Sequence, residues 1–246
     1  MTFGKTWLRY ETVGSTMDVA REVFARTQEF GVVVQAQSQT AGRGRQGHAW
    51  FTPPSGTQLC LTVVGYPVAL GEAWRLAPLA GLAVAEGITT ALPDVHPRLR
   101  FPNDVLLEGK KLAGVLVETI PMQGDPTHCV PMIGIGINVN VHPSVFPEVI
   151  RPFATSLLIK GGRVVEAPVA RVVLDVLGQL WEEPLDSVFA RWHAALDPDA
   201  RRTFLLEGEG QVCRVVLLSP EGRLTLETAN GDLHTITAAQ VVFGED

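Results

Sequence analysis

Residues 40–50 concentrate side chains and backbone groups that bind anions and flat ring systems. The stretch reads Thr-Ala-Gly-Arg-Gly-Arg-Gln-Gly-His-Ala-Trp. Its glycines allow backbone N–H groups to turn toward a ligand, because glycine has no Cβ and tolerates positive φ. Arg43 and Arg45 supply planar donors for phosphate or carboxylate, and Trp50 supplies a flat face for a base. The stretch predicts a loop that covers an anionic ligand with an aromatic group, and a nucleotide is the first candidate.

Residues 42–47 also match the G-x-G-x-x-G pattern of dinucleotide-binding folds. In those folds the glycines open a helix, and an acidic residue about 20 positions later binds the ribose. Here Pro53 and Pro54 prevent a helix, and the apolar run 61–64 stands where the acid is needed. A dinucleotide-binding fold is therefore not predicted.

Three further groups of residues have both a chemical and a structural explanation. Asn103 and Asp104 form a turn whose side chains can bond either the backbone or a ligand. Ser15 and Thr16 open a helix, where Ser15 is suited to the N-cap position. Lys111 precedes an apolar strand, so its ammonium group lies either in solvent at a hairpin end or in a cleft. These residues alone leave both explanations open.

Glycines alternate with isoleucines over residues 133–137. In a strand this pattern places all the bulk on one face and none on the other. The bare face either receives a ligand or packs closely against a helix. The sequence contains cations and backbone donors but no Ser-His-Asp spacing, metal-binding motif or conspicuous nucleophile. Such a set suits transfer at phosphorus, where a protein mainly positions reactants and stabilises negative charge.

Composition limits the class of protein. The 246 residues are 46% hydrophobic, which excludes a disordered chain, and the net charge of −6 gives no overall attraction to nucleic acid. The three cysteines lie far apart and fit neither a disulfide framework nor structural zinc. No N-terminal signal core and no apolar run of 18 residues occurs. We expect a cytoplasmic protein that binds neither DNA nor membranes, and an exposed sheet edge would permit a homodimer.

Hydrophobic periodicity predicts an α+β protein of two domains. We expect strands at 7–13, 32–37, 58–64, 98–101 and 130–140, a hairpin of 105–107 with 112–119, and a loop at 122–128. Helices are predicted from Ser15 to about Thr27, from about Pro78, over 169–177 and over 184–196. Short β runs at 210–218, 222–227 and 234–243 suit an SH3-like barrel. The boundary near Asp199 gives domains of residues 1–199 and 200–246.

Four motifs together resemble those of biotin protein ligases in order and spacing. They are residues 42–47 with Trp50, 101–104, 111–118 and 134–138. The chain is similar to the short form of that family, without an N-terminal DNA-binding domain, because only 14 residues precede Ser15. The resemblance implies a class II synthetase-like mixed or antiparallel sheet with helices, followed by the small SH3-like domain.

The reaction that this resemblance implies has two steps. Biotin reacts with Mg²⁺-bound ATP to give biotinyl-5′-AMP, and a specific lysine of a biotin carboxyl carrier protein then accepts the biotinyl group. ATP, Mg²⁺ and biotin are the expected ligands. Two alternatives are a lipoate-protein ligase of the same fold and a non-enzymatic sensor of biotinyl-adenylate.

The resemblance also implies roles for individual residues. Lys111, Arg45 and Asp104 are the expected catalytic residues, and Asp104 would either help to place Mg²⁺ or orient the incoming lysine. The expected biotin contacts are Ser15, Thr16, Gln39, Arg43, Gly44, Arg45, Lys111, Gly114, Leu116, Gly134 and Gly136. The expected ATP contacts are Arg43, Arg45, Trp50, Asn103, Asp104, Lys111 and Asn138. Three residues depart from the family pattern, which often has asparagine at Met17, a basic residue at His48 and tryptophan at Phe101.

Overall fold

An eight-stranded sheet forms the larger part of the structure. The structure is a computed structural model, and it describes residues 1–53, 56–160, 162–206 and 209–243. The strands of the sheet are β1 (Trp7–Val13), β2 (Val33–Gln39), β3 (Gln58–Val64), β4 (Val68–Ala69), β5 (Arg98–Arg100), β6 (Asp104–Leu107), β7 (Lys110–Met122) and β8 (Asp125–Asn138). Their order is β1-β2-β3-β8-β7-β6-β5, with β4 paired to β8. The β1–β2 pair is parallel and the other pairs are antiparallel, so the predicted mixed sheet is confirmed.

Helices cover the two faces of the sheet unequally. They are α1 (Thr16–Thr27), α2 (Leu76–Ala91), α3 (Glu166–Glu182) and α4 (Leu185–Ala195). The isoleucines of β8 share one core cluster with the apolar residues of α2 and α3. Helix α1 packs on the opposite face through Met17, Ala20 and Phe24. The bare, glycine side of β8 thus faces the side of the sheet that α1 covers only in part.

The start of α1 follows one half of the predicted capping pattern. Ser15 is the N-cap, and its Oγ accepts a hydrogen bond from the Met17 backbone N–H at 3.3 Å. Asp18 does not return to the cap, because Arg43 of the glycine-rich stretch binds both of its carboxylate oxygens. An ion pair with a residue distant in sequence therefore replaces the local contact.

The loop predicted over residues 122–128 is wrong. Strand β7 continues to Met122 and β8 begins at Asp125, so the two strands form one long hairpin. β4 adds to the same region by pairing Val68 with Cys129. Asp125 and His128, two of the polar residues that suggested a loop, pair with Met122 and Ala69 in the ladders, and the Thr127 backbone N–H donates to Asp125 Oδ1 at 2.9 Å.

A second, four-stranded antiparallel sheet ends the chain. It consists of β9 (Arg202–Leu206), β10 (Glu209–Leu218), β11 (Arg223–Thr228) and β12 (Leu233–Thr237) in the order β12-β11-β10-β9. Phe243 pairs with Phe204 of β9, which brings the end of the described chain back to the first strand of the sheet. This arrangement fits the predicted SH3-like domain. The strand predicted over 234–243 is too long, because a 3-10 turn interrupts it at residues 238–240.

Within the described residues, no helix is both long enough and apolar enough to cross a membrane. The domain boundary predicted near Asp199 stays a prediction, although the second sheet begins close to it, at Arg202.

Candidate functional site

The bare face of the glycine-rich strand receives side chains from α1 and from the loop after β2. A Cβ added to Gly136 would lie 2.6 Å from Trp50 Cε2, and one added to Gly134 would lie 3.0 Å from Met17 Cε. A Cβ added to Gly114 of the neighbouring strand β7 would lie 3.0 Å from Trp50 Cζ3. The glycines therefore allow Trp50 and Met17 to approach the sheet, and neither of the two explanations given by the sequence is complete.

A cavity of about 810 Å³ opens beside these glycines. It contains fourteen of the fifteen residues predicted for biotin or ATP binding: Ser15, Thr16, Gln39, Arg43, Gly44, Arg45, Trp50, Asn103, Asp104, Lys111, Gly114, Leu116, Gly134 and Gly136. Asn138 is not among the lining residues. Its amide nitrogen donates to the Thr155 carbonyl at 2.9 Å, and its Oδ1 accepts from Gln58 Nε2 at 2.6 Å. Asn138 holds neighbouring segments together, so its predicted contact with ATP has no support from its position.

Asp104 is the centre of a buried cluster of charges at one side of the cavity. It is 1% exposed, and its carboxylate lies 2.6 Å from Lys111 Nζ, 2.7 Å from Arg100 Nη2 and 3.2 Å from Arg202 Nη2. Burial by itself would raise the pKa of Asp104. The positive charges of Lys111, Arg202 and Arg100 outweigh this effect and hold the pKa of Asp104 below its usual range. The cluster keeps an excess of positive charge next to the cavity.

This arrangement does not suit Asp104 as a ligand to a divalent cation. Three cations already contact its carboxylate, and a metal ion there would meet their repulsion. The part of the chain that the structure describes contains no group of three or more His, Cys, Asp or Glu residues arranged to hold a metal ion. The geometry thus argues against the first predicted role of Asp104. The second role, orientation of the incoming carrier lysine, stays a prediction, because the lysine that Asp104 contacts is Lys111 of this chain.

The glycine-rich loop presents its two arginines in different ways. Arg43 forms two hydrogen bonds to Asp18 of α1, at 2.6 and 2.8 Å, and lies 3.9 Å from Glu118 of β7. Arg45 lies over the ring of Phe243, with its Cζ 4.7 Å from the ring centroid. Burial lowers the pKa of Arg45, and the charge of Arg202 lowers it further. Both contacts tie the loop to elements that surround the cavity.

Residues 45–47 form a 3-10 turn, and the structure shows no α-helix at this point. This geometry agrees with the absence of a dinucleotide-binding fold that the two prolines indicate. Arg43 and Ala49 pair across the loop as an isolated β-bridge, so the loop folds back on itself before the chain reaches Trp50.

Several cavity residues were not predicted from the sequence. Met17 was noted only as a departure from the family pattern, and Thr62, Arg202 and Phe243 were not considered as site residues. Thr62 could have been found, because it is a polar residue within the apolar strand β3. Arg202 and Phe243 carry no such signal, since only the folded position of the second sheet brings them to the cavity.

The structure thus combines a mixed sheet with a cationic cavity on its glycine face and a glycine-arginine loop beside the cavity. This arrangement is typical of an enzyme that binds anionic ligands. Residues 10–138 match the model of the Biotin/lipoate A/B protein ligase family, and the chain belongs to that family. The family that the four motifs predicted is thereby confirmed.

Individual relatives agree with this assignment. The chain is 34% identical to the bifunctional ligase/repressor BirA of Bacillus subtilis over 164 residues, which are 66% of this chain and 49% of that protein. It is 36% identical to the biotin–[acetyl-CoA-carboxylase] ligase of Mycobacterium tuberculosis over 166 residues, which are 63% of this chain and 57% of that protein. The matched region thus spans about half the length of these relatives.

The fold also resembles a solved structure, that of a biotin protein ligase from Aquifex aeolicus in complex with biotin and ATP. The two structures superpose with a TM-score of 0.78 at 24% sequence identity, over 98% of this chain and 100% of the other. This likeness confirms the predicted α+β fold with its second, smaller sheet.

Proposed function

We propose that this protein is an ATP-dependent ligase that forms biotinyl-5′-AMP and transfers the biotinyl group to a lysine of a biotin carboxyl carrier protein. The observation that carries the proposal is the position of Lys111, whose ammonium group lies between the buried Asp104 and the glycine-lined face of the cavity. The ammonium group thus lies between the glycine-lined part of the cavity and the arginines that contact Asp104.

The first step requires two anions to meet. A biotin carboxylate oxygen attacks the α-phosphorus of Mg²⁺-bound ATP, a P–O bond forms, and the bond to the departing pyrophosphate breaks. Two like charges about 4 Å apart repel each other by roughly 4 kcal/mol at an effective dielectric constant of 20. Lys111 offsets this repulsion by contacting the carboxylate and the α-phosphate, and Mg²⁺ enters with ATP as part of the substrate.

Asp104 keeps Lys111 in the orientation that this step needs. The Nζ–Oδ1 distance is 2.6 Å, and the carboxylate is itself fixed by Arg100 and Arg202. A lysine side chain has several freely rotating bonds, so a buried, charge-paired anchor removes conformers that point away from the cavity. We propose that Asp104 is a positioning residue and that the surrounding arginines attract the ATP phosphates.

In the second step the amine of the carrier lysine attacks the acyl carbon of the adenylate. The new C–N bond forms, the bond to the phosphate oxygen breaks, AMP leaves, and the lysine nitrogen loses a proton. The adenylate must be kept from water until the carrier arrives. We propose that the glycine-rich loop closes over it through Arg43 and Arg45, while Trp50 covers its apolar part.

The acceptor follows from the names of the relatives. The Mycobacterium protein is named a biotin–[acetyl-CoA-carboxylase] ligase, so we propose the carrier domain of a biotin-dependent carboxylase as the acceptor. A reaction that consumes ATP and modifies such a carrier belongs in the cytoplasm. Lipoate ligation is the second candidate, because the family includes lipoate ligases. The presence of the Gly-Arg-Gly-Arg loop favours biotin.

Transfer to a carrier tests the proposal. The purified protein is incubated with ATP, Mg²⁺, biotin and a carboxylase carrier domain, and the mass of the carrier is measured. We expect the gain of one biotinyl group, lost when the acceptor lysine is replaced by arginine. An unmodified carrier, or one that gains lipoyl but not biotinyl groups, would contradict the proposal.

A further inference from the structure

Three polar side chains, Thr62, Thr16 and Gln39, form a series of hydrogen bonds at the end of the cavity next to α1. The Thr62 and Thr16 hydroxyl oxygens lie 2.8 Å apart, and Thr16 Oγ1 lies 3.1 Å from Gln39 Oε1. The Thr16 backbone N–H also donates to Gln39 Oε1, at 2.8 Å. Thr62 is 0% exposed, so water would not replace a lost hydrogen bond of its hydroxyl. Thr16 is 4% exposed and lines the cavity.

The number of hydrogens on the hydroxyl groups determines which residue donates in each of these hydrogen bonds. A hydroxyl group has one hydrogen to donate, and the side-chain carbonyl of Gln39 can only accept. The contact between Thr16 and Gln39 is therefore a hydrogen bond only if Thr16 donates. The bond between the two threonines then requires Thr62 to be the donor and Thr16 the acceptor. Donation runs from Thr62 through Thr16 to Gln39.

The direction decides what the cavity offers to a ligand. Two donors from Thr16 converge on Gln39 Oε1, so the amide NH₂ of Gln39 is the end left to donate. Thr16 has given its hydrogen to Gln39 and can only accept from a ligand. Ser15 Oγ accepts from the Met17 N–H at 3.3 Å and keeps its own hydrogen for donation. This end of the cavity thus presents two donors and one acceptor, which match a carbonyl flanked by N–H.

We propose that Thr62 is a positioning residue that sets this donor and acceptor pattern through Thr16. The proposal rests on the proposed function, and it places the ureido ring of biotin, a carbonyl flanked by two N–H groups, at this end of the cavity. Thr62 lies opposite Gly134 in the β3–β8 ladder, and its hydroxyl contacts that of Thr16 from the sheet. The hydrogen bond from Thr62 holds the rotamer of the Thr16 hydroxyl and strengthens its donation to Gln39. Removing the Thr62 hydrogen removes both effects.

Two substitutions separate the hydroxyl of Thr62 from its bulk. Thr62→Val keeps the shape and removes the hydroxyl, whereas Thr62→Ser keeps the hydroxyl and removes a methyl group. The dissociation constant for biotin is measured by calorimetry, together with the KM for biotin and for ATP. We expect Thr62→Val to weaken biotin binding about five-fold, the usual worth of one hydrogen bond, with kcat and the KM for ATP changed less than two-fold. Thr62→Ser is expected to stay within about two-fold of the wild type.

A double-mutant cycle shows whether Thr62 acts through Thr16. In a Thr16→Val background, the additional Thr62→Val substitution is expected to change biotin affinity by less than two-fold, because the bond between the two hydroxyls is already lost. A five-fold loss of biotin affinity from Thr62→Val in that background would show that Thr62 does not act through Thr16, and it would overturn the proposal. Equal losses in Thr62→Val and Thr62→Ser would show a packing role instead, and no loss in Thr62→Val would also overturn the proposal. A wild-type protein that does not bind biotin would contradict the proposed function itself.

Discussion

The proposed chemistry depends on Lys111, and the sequence around Lys111 did not reveal all the residues that surround its ammonium group. Lys111 pairs with the buried Asp104, and two arginines share that carboxylate. The cluster explains how a lysine at the start of a strand is held toward the cavity although its side chain is 35% exposed. The solvent-facing alternative for Lys111 is therefore excluded by its position.

Replacing Lys111 by alanine is expected to slow adenylate formation at least 100-fold, because the approach of two anions loses its neutralising charge. The free energy of unfolding is expected to fall by only about 1 kcal/mol, since Asp104 stays paired with Arg100 and Arg202 and is not left as an uncompensated buried charge. Adenylate formation is measured as biotin-dependent pyrophosphate release in a single turnover, and stability by urea unfolding.

Lys110→Ala is the matched control, because Lys110 is the exposed neighbour in the same hairpin. It should leave both measurements unchanged. A large loss of stability in Lys111→Ala, with little loss of rate per folded molecule, would show that Lys111 is a structural residue.

The sequence predicted site residues correctly where the signal was a pattern of neighbouring residues. The alternation of glycine and isoleucine over residues 133–137 indicated a bare sheet face, and the structure places the cavity beside it. Local patterns could not indicate that Asp18 pairs with Arg43 or that Arg202 reaches Asp104, since those partners are 25 and 98 positions apart. Only the packed fold brings such residues together.

In the proposed mechanism, the glycine-rich loop is the element that retains the adenylate. It contacts α1 through Arg43, lies over the sheet through Trp50 and reaches the second sheet through Arg45. These anchors suit a loop that closes over a ligand, because Arg43 and Arg45 can exchange their present contacts for the ligand's negative charge while Trp50 stays over the sheet.

Replacing Arg45 by alanine is expected to release biotinyl-adenylate into solution. The loop would lose the side chain that holds the adenylate phosphate, so the dissociation rate of the adenylate should rise at least ten-fold. The release is measured as biotin labelling of lysines on an unrelated bystander protein. Arg26→Ala is the control, because the Arg26 side chain is 80% exposed at the end of α1. Unchanged labelling in Arg45→Ala would remove the proposed role of the loop in retention.

On the scale of the whole molecule, the second sheet is part of the site. Arg202 and Phe243 line the cavity, and the apolar residues of this sheet belong to the same core cluster as α2 and α3. The sequence predicted the sheet itself from its turns, but its orientation depends on long-range packing. One polar contact in this packing is the bond from the Leu218 backbone N–H to His193 Nε2 of α4, at 2.7 Å.

Stability is expected to fall in mild acid through this contact. Burial lowers the pKa of His193, so the folded protein favours the neutral ring that accepts from Leu218. The unfolded chain binds the proton more readily, and the contribution of His193 is full above pH 6.5 and is lost as pH falls below it. We expect a loss of up to about 1 kcal/mol, the worth of one hydrogen bond.

Urea unfolding of the wild type and of His193→Gln at pH 7.5 and pH 5.5 measures this effect. Other titrating groups contribute equally to both proteins, so the difference between their pH dependences isolates His193. The wild type should lose more stability than the variant between the two pH values. Identical losses would show that protonation of His193 does not affect the packing of α4 against the second sheet.

We propose that the cavity activates biotin as an adenylate, and exchange of labelled pyrophosphate into ATP measures this activation. The exchange occurs only if the protein forms an acyl-adenylate reversibly, and it needs no carrier protein. Biotin and lipoate are compared side by side at equal concentration, with Lys111→Ala as the inactive control. We expect exchange that depends on biotin and is absent with lipoate. Exchange with lipoate alone, or none with biotin, would contradict the proposal.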